Sequence, residues 1–116
     1  MPNISRIAAD SRVTVEFADL GDWDDATLVS KYKGGKEPVI RINSRVVARY
    51  RRVAPAGVQA LVDLAIAHEL YHHCEAIGKT PRIRDRGARE AAADAFAREH
   101  VTVDPQLDAF LERGCV

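Results

Sequence analysis

The sequence of 116 residues has few of the features that mark specialised classes of protein. Its two cysteines, Cys74 and Cys115, are too few for a disulfide scaffold and match no four-cysteine zinc module. The formal net charge is zero, so composition gives no reason to expect nucleic acid or an anionic membrane as a partner. No apolar stretch approaches a membrane span, and the first residues lack the apolar run of a signal peptide. We therefore expect a cytoplasmic protein with free thiols.

The length and the order of patterns predict one domain, residues 1–116, of the α+β class. Three segments favour strands: residues 12–17, 27–32 and 38–43. The first alternates, with Val13, Val15 and Phe17 on one face, and Gly34-Gly35 marks a turn between the second and third. We expect a small antiparallel or mixed three-stranded sheet, packed on the helices that follow.

Helical signals begin where the strand signals end. Asn43 or Ser44 is expected to cap a short helix that reaches about residue 52. A long central helix should then run from residue 55 to 77, with Gly78 after its end. It is apolar on nearly all sides, which predicts burial; its expected core side includes Ile77, with Val62, Ile66 and Leu70. Two further helices are predicted, one over about 88–100 and one marked by Asp104, Pro105 and Gly114.

The central helix carries His68-Glu69-Leu70-Tyr71-His72, an HExxH motif. Histidines four residues apart project from one helical face, close enough to bind one metal ion. Glu69 lies about 100° around the helix from His68, so it can reach a metal-activated water as general base without being a ligand. The motif sits in a helix predicted to be buried, where two histidines and a glutamate are costly without a partner.

A catalytic zinc site needs a third protein ligand and keeps its fourth position for water. The downstream candidates are His73, Glu75, Asp85, Glu90, Asp94, Glu99 and His100. His73 is turned about 100° from its neighbour His72 and cannot join the same ion. We prefer Glu90, because antiparallel helices joined by the loop 78–87 bring it to the end of the motif helix. Asp94 shares its face and can orient a ligand histidine, although the two carboxylates could exchange roles or form a solvated acidic face.

His68 to His72, followed by Glu90 and Asp94, resembles the HExxH and ExxxD motifs of the gluzincin metallopeptidases, to which thermolysin belongs. Among small forms, the chain is similar to minigluzincins and to the catalytic core of the ImmA/IrrE family. The resemblance implies zinc on His68, His72 and Glu90, with Glu69 as general base and Asp94 as partner of His68. It also implies a strand that binds an extended peptide or protein substrate, which we assign to Val39, Ile40, Arg41, Ile42 and Asn43.

Two other interpretations remain open at this level. In one, the zinc site is latent or regulatory, and the C-terminal segment covers it. A thiolate of Cys115 on the zinc is one form of this interpretation, although a free thiol is the expected state of Cys115. In the other, the chain is a metal-free helical interaction module. Its arginine clusters, at residues 45–52 and 82–89, are either solvated faces or a docking surface for an acidic partner. The residue that stabilises an oxyanion is also open between Tyr71, Tyr50 and a loop arginine.

Overall fold

A computed structural model describes residues 4–21 and 29–112 and shows a small α+β fold. Its elements in chain order are α1 (Ile4–Asp10), β1 (Thr14–Ala18), β2 (Ser30–Lys33), β3 (Val39–Asn43), α2 (Ser44–Val53), a 3₁₀ turn (Pro55–Gly57), α3 (Val58–Ala76), α4 (Arg86–His100) and α5 (Pro105–Glu112). The sheet and the surrounding helices enclose α3, which contributes ten buried residues. The predicted class and the packing of helices on a three-stranded sheet are confirmed.

The sheet is mixed, with the strand order β1-β3-β2. β2 pairs antiparallel with β3, so that Ser30 lies opposite Ile42, as the turn at Gly34-Gly35 predicts. β1 pairs in parallel with the other side of β3, with Thr14 opposite Val39. A parallel pair needs a crossover rather than a tight hairpin. The chain therefore passes from one edge of the sheet to the other before it returns through the centre as β3.

The central position of β3 overturns the assignment of a substrate-binding strand. The residues assigned to it are Val39, Ile40, Arg41, Ile42 and Asn43. They pair with β1 on one side and with β2 on the other. Their main chain therefore has no free edge for an extended peptide, and the assignment is wrong. The side chain of Asn43 has a structural role, because its Oδ1 accepts from the main-chain N of Arg45 at 3.1 Å and caps α2.

Two hydrophobic residues lie outside the core that the sequence predicted for them. Phe17 is 57% exposed although Val13, on the same predicted face, is buried. Ile77 follows the last residue of α3 and is 49% exposed. Gly78, at φ 80°, is in the left-handed conformation expected after a helix end. The predicted start of the second strand lies outside the described residues.

Helices α4 and α5 begin at side-chain caps. Asp85 accepts a hydrogen bond from the main-chain N of Ala88 at 2.7 Å, so α4 starts two residues before its predicted position. Asp104 accepts from the main-chain N of Leu107 at 2.7 Å, as predicted for the start of α5. The predicted stop, Gly114, lies outside the described residues. None of the helices within residues 4–21 and 29–112 has the length and hydropathy of a membrane span.

Helix α1 was not predicted. It is short, and Ile4 and Ala8 bury its inner face in the core. Helix α4 packs on α3, and its buried residues are Ala93 and Ala97, both completely inaccessible. Small side chains on a buried face let a helix approach its neighbour closely, and Glu90 of α4 reaches the histidines of α3.

Candidate metal centre

The two motif histidines project from α3 toward one point. His68 and His72 are separated by one helical turn, and their ring centroids are 5.2 Å apart. Both side chains are partly accessible, His68 at 26% and His72 at 16%. The helix backbone therefore fixes two imidazoles side by side, with one face open to the solvent.

Glu90 of α4 completes the group. Its Oε2 lies 2.9 Å from Nε2 of His68, and its Oε1 lies 3.3 Å from Nε2 of His72. One donor atom from each residue can be chosen so that all lie within 4.8 Å of one another. The structure thus brings together the three residues that the sequence selected as metal ligands, and this group can hold a metal ion.

The donor set can be tested against the geometry of a bound ion. A tetrahedral ion bonded to nitrogen and oxygen at about 2.0–2.1 Å requires ligand atoms roughly 3.3 Å apart. The contacts of Glu90 with the histidines, 2.9 and 3.3 Å, are near this spacing but use its two different oxygens. A set with one atom per residue lies within 4.8 Å, so the side chains would draw closer together around an ion. Two imidazoles and one carboxylate are also typical ligands of zinc and similar transition metals. The exposed side of the group leaves room for a further ligand, so the residues fit such an ion.

Glu69 lies beside this group but is turned into the protein. It is 7% exposed, and its Oε2 accepts a hydrogen bond of 2.7 Å from the hydroxyl of Ser30 on β2. Burial raises the pKa of the Glu69 carboxyl, and the hydrogen bond from Ser30 and the neighbouring histidines oppose that rise. The sequence placed Glu69 correctly next to the histidines but gave no signal for Ser30, because their contact depends on how β2 packs on α3.

The carboxylate that contacts Nδ1 of a motif histidine is that of Glu75. Its Oε1 lies 3.1 Å from Nδ1 of His72, and its side chain is only 5% exposed. Its Oε2 accepts from the main-chain N of Ile83 at 3.3 Å and lies 3.8 Å from Nε of Arg89. Glu75 therefore links His72 to the loop between α3 and α4. The sequence did offer a signal for the contact between His72 and Glu75, because residues three apart on one helix are neighbours on its surface.

Asp94, which the resemblance assigned to His68, has a different partner. It lines a cavity that also contains the two motif histidines, but its Oδ2 accepts from Nε of Arg98 at 3.0 Å. Arg98 also donates to Oδ1 of Asp108 at 2.8 Å. Within the described residues Asp94 has no hydrogen bond or ion pair with His68, so that predicted contact is wrong.

His73 is separated from the group formed by His68, His72 and Glu90 (the metal group), as predicted. It is 2% exposed, with Nδ1 2.8 Å from the hydroxyl of Tyr32 and Nε2 3.2 Å from the carbonyl oxygen of Ser11. The carbonyl can only accept, so Nε2 donates to it; in the neutral ring Nδ1 then accepts from Tyr32. This buried histidine connects α3 with β2 and with the segment that follows α1.

The group opens into a cavity of about 960 Å³ between β2, α3 and α4. Of the residues considered for oxyanion stabilisation, Tyr50 is completely buried in the core, and neither Tyr50 nor Tyr71 lines this cavity. Arginines of the loop and of α4 do line it. Cys74 is partly buried, and burial raises the pKa of its thiol. Cys115 lies outside the described residues.

Comparison with known proteins adds no assignment. No protein-family model, curated protein or solved structure matches this chain.

Proposed function

We propose that this protein is a zinc-dependent peptidase of the gluzincin type. The observation that supports the proposal is the carboxylate of Glu90, which faces Nε2 of both motif histidines within 3.3 Å. Next to this group lies Glu69, the remaining polar residue of the HExxH motif. It is not needed as a ligand, and its carboxylate is held in one orientation by the hydrogen bond from Ser30. Three ligands, one separate carboxylate and an open cavity are the parts that metal-assisted hydrolysis requires.

Each side chain has one task in this proposal. His68, His72 and Glu90 would hold the ion. Zinc, when bound there, supplies a Lewis acid that polarises a carbonyl group and makes water a stronger acid. Glu69 takes the proton of the attacking water and passes it to the amine that leaves. Since Oε2 of Glu69 accepts the hydrogen bond from Ser30, Oε1 is the oxygen that remains for the proton.

The substrate would lie along β2 rather than β3. β2 is an edge strand whose only partner in the described sheet is β3, and its residues from Ser30 to Tyr32 line the cavity. An extended peptide can add to such an edge by main-chain hydrogen bonds, with its side chains in adjacent pockets. This arrangement brings a peptide bond close to both Glu69 and the metal ligands.

The test is elemental analysis of the purified protein combined with cleavage of a mixed peptide library. We expect one zinc per chain in the wild type and in Glu69→Gln, and weak zinc binding in Glu90→Ala. Of these three proteins, only the wild type should cleave peptides, and the control variant should cleave them like the wild type. Glu99→Ala is the matched control, because it removes an exposed glutamate from the same helix.

Three outcomes count against the proposal or a part of it. No metal in any variant, even after zinc is added, would reject the metal site and leave a histidine–glutamate cluster in an interaction module. Full zinc occupancy without cleavage of any peptide in the library would reject the enzyme and favour a latent or regulatory zinc domain. Cleavage that survives in Glu69→Gln would reject the assigned base.

A further inference from the structure

The cavity around the metal group has two chemically different ends. α3 and α4 run in opposite directions here, because Glu75 on α3 lies beside Arg89 on α4, whereas Tyr71, earlier on α3, contacts Phe96, later on α4. Toward the start of α3 the lining is apolar and includes Leu61, Leu64 and Leu111. Toward the end of α3 it is basic. A ligand that crosses the metal group therefore meets a hydrophobic surface on one side and arginines on the other.

Three arginines form the basic end: Arg82 in the loop, and Arg86 and Arg89 on α4. Arg89 donates to the carbonyl oxygen of Ile83 and lies 3.8 Å from Glu75, so its charge is partly compensated. Arg82 and Arg86 are exposed and have no ion pair within the described residues. Arg86 precedes Glu90 by four residues, which places it one helical turn from the metal group.

The fourth arginine of the cavity does not add to this charge. Arg98, further along α4, pairs with both Asp94 and Asp108 at 3.0 and 2.8 Å. Apart from Lys31 on β2, which also lines the cavity, the positive charges that no ion pair compensates within the described residues therefore lie at the end formed by Arg82 and Arg86. Low-dielectric walls strengthen the field of such charges and raise the local concentration of oppositely charged ligands.

We infer that this end of the cavity is a subsite for acidic side chains of a peptide. Guanidinium groups bind carboxylates through paired hydrogen bonds, and two adjacent arginines favour a segment with more than one Asp or Glu. The inference rests on the proposed function for the position of the reacting peptide bond. It adds that the segment on one side of this bond is acidic.

The inference can be tested by binding, without hydrolysis. The probes are three octapeptides with the same Gly-Ala-Leu-Ala-Gly core and a flank of three Glu, three Gln or three Lys, each labelled with a neutral dye. A second set carries the flank at the other end of the core. Fluorescence anisotropy is measured with zinc-supplemented Glu69→Gln protein, which the proposed mechanism makes inactive. We expect about five- to twentyfold tighter binding of the Glu peptide than of the Gln peptide in one set, decreasing with salt.

Arginine variants in the same background locate the subsite. The double change Arg82→Gln with Arg86→Gln should reduce the preference for the Glu peptide to less than twofold. Arg84→Gln is the matched control, because Arg84 lies between them in sequence, is exposed and does not line the cavity. All three side chains are exposed, so the melting temperatures of the variants should stay close to that of their parent. Equal binding of the Glu, Gln and Lys peptides would overturn the inference, and so would an equal loss of preference in Arg84→Gln.

Two further measurements separate this inference from its alternatives. In the first, a single-stranded dT oligonucleotide is titrated beside the peptides. If the oligonucleotide binds more tightly than the Glu peptide and loses this affinity in the Arg82→Gln, Arg86→Gln variant, the arginines bind nucleic acid instead and the inference is overturned. Cleavage of neutral peptides with no acidic preference would reject the subsite and leave the proposed function intact. Selective binding of the Glu peptide without cleavage by the wild type would reject the peptidase and retain the acidic subsite.

Discussion

The hydroxyl of Ser30 and Oε2 of Glu69 are joined by a hydrogen bond of 2.7 Å, although 39 residues separate them in the chain. This bond connects the edge strand of the sheet to the middle of the helix that carries both histidines. Both residues are buried, Ser30 at 9% and Glu69 at 7% exposure. The position of the proposed base is therefore set by the sheet as well as by its own helix.

Replacement of Ser30 tests this connection. Ser30→Ala leaves a buried carboxylate without its donor, and we expect a loss of about 1–3 kcal/mol in the free energy of unfolding. If Glu69 is the base, kcat for a cleaved peptide should fall more than KM changes, because the main chain of β2, which would bind the substrate, is unchanged. Ser30→Thr keeps a hydroxyl and should recover most of both losses. Unchanged stability and unchanged kcat in Ser30→Ala would contradict this account of Glu69.

Glu75 and Asp94 provide a direct test of which carboxylate supports the metal site. Glu75 contacts Nδ1 of His72, whereas Asp94 pairs with Arg98. Partners that orient a ligand histidine typically change metal affinity by about 10–100-fold. We expect Glu75→Gln to weaken zinc binding by about tenfold or more, and Asp94→Asn to change it less than threefold. Competition with a chromophoric chelator measures both affinities, and the reverse order would restore the contact that the resemblance implies.

Local patterns predicted the parts of the site that depend on one helix or one turn. The spacing of His68 and His72 is a property of any helix, and the caps Asn43 and Asp104 act on main-chain groups two or three residues away. Gly78 ends α3 for the same kind of local reason. These features need no knowledge of the rest of the molecule, and all of them are confirmed.

The errors concern contacts between distant segments. Whether Asp94 on α4 reaches His68 on α3 depends on the rotation of the two helices about their own axes, which a spacing of four residues does not specify. The sheet order depends on a crossover, so the alternating pattern of β3 could not show that both its edges are occupied. An alternating pattern also cannot show how far along a strand the hydrophobic core extends. Phe17, near the end of β1, is exposed although the pattern predicted that it faces the core.

The contact between Tyr32 and His73 should stabilise the fold without affecting the metal. Tyr32→Phe leaves Nδ1 of a histidine that is 2% exposed without its donor, so we expect a cost of about 1–2 kcal/mol. For a domain of this size, each kcal/mol lowers the melting temperature by roughly 3–6 °C. Tyr71→Phe is the control, because the described residues give its hydroxyl no hydrogen-bond partner. Zinc content should be unchanged in both, and equal melting temperatures would contradict a stabilising contact.

Zinc itself should add to stability, because the ligands come from two helices that separate on unfolding. At a free zinc concentration one hundred times the dissociation constant, the expected gain is about 2.7 kcal/mol. Thermal unfolding with zinc and with a chelator measures this gain in the wild type. It should disappear in Glu90→Ala and persist in Glu99→Ala, the exposed glutamate on the same helix. A melting temperature that is independent of zinc in the wild type would contradict binding to the folded state.

The burial of Glu69 predicts how stability depends on pH in the metal-free protein. Because burial raises its pKa, the folded state binds a proton more readily than the unfolded chain. The contribution of Glu69 to stability therefore falls as the pH rises from its ordinary pKa through the raised one, and the full cost of a buried charge is present above that range. Glu69→Gln keeps an acceptor for Ser30 and carries no charge. It should melt at a higher temperature than the wild type at neutral pH, and this difference should shrink as the pH falls toward 4.

Melting curves recorded with a chelator across this range test the trend, with Glu99→Gln as the control for the loss of an exposed charge. A variant that is less stable than the wild type at neutral pH would show that the ionised carboxylate is stabilised in the fold, contrary to the effect of its burial.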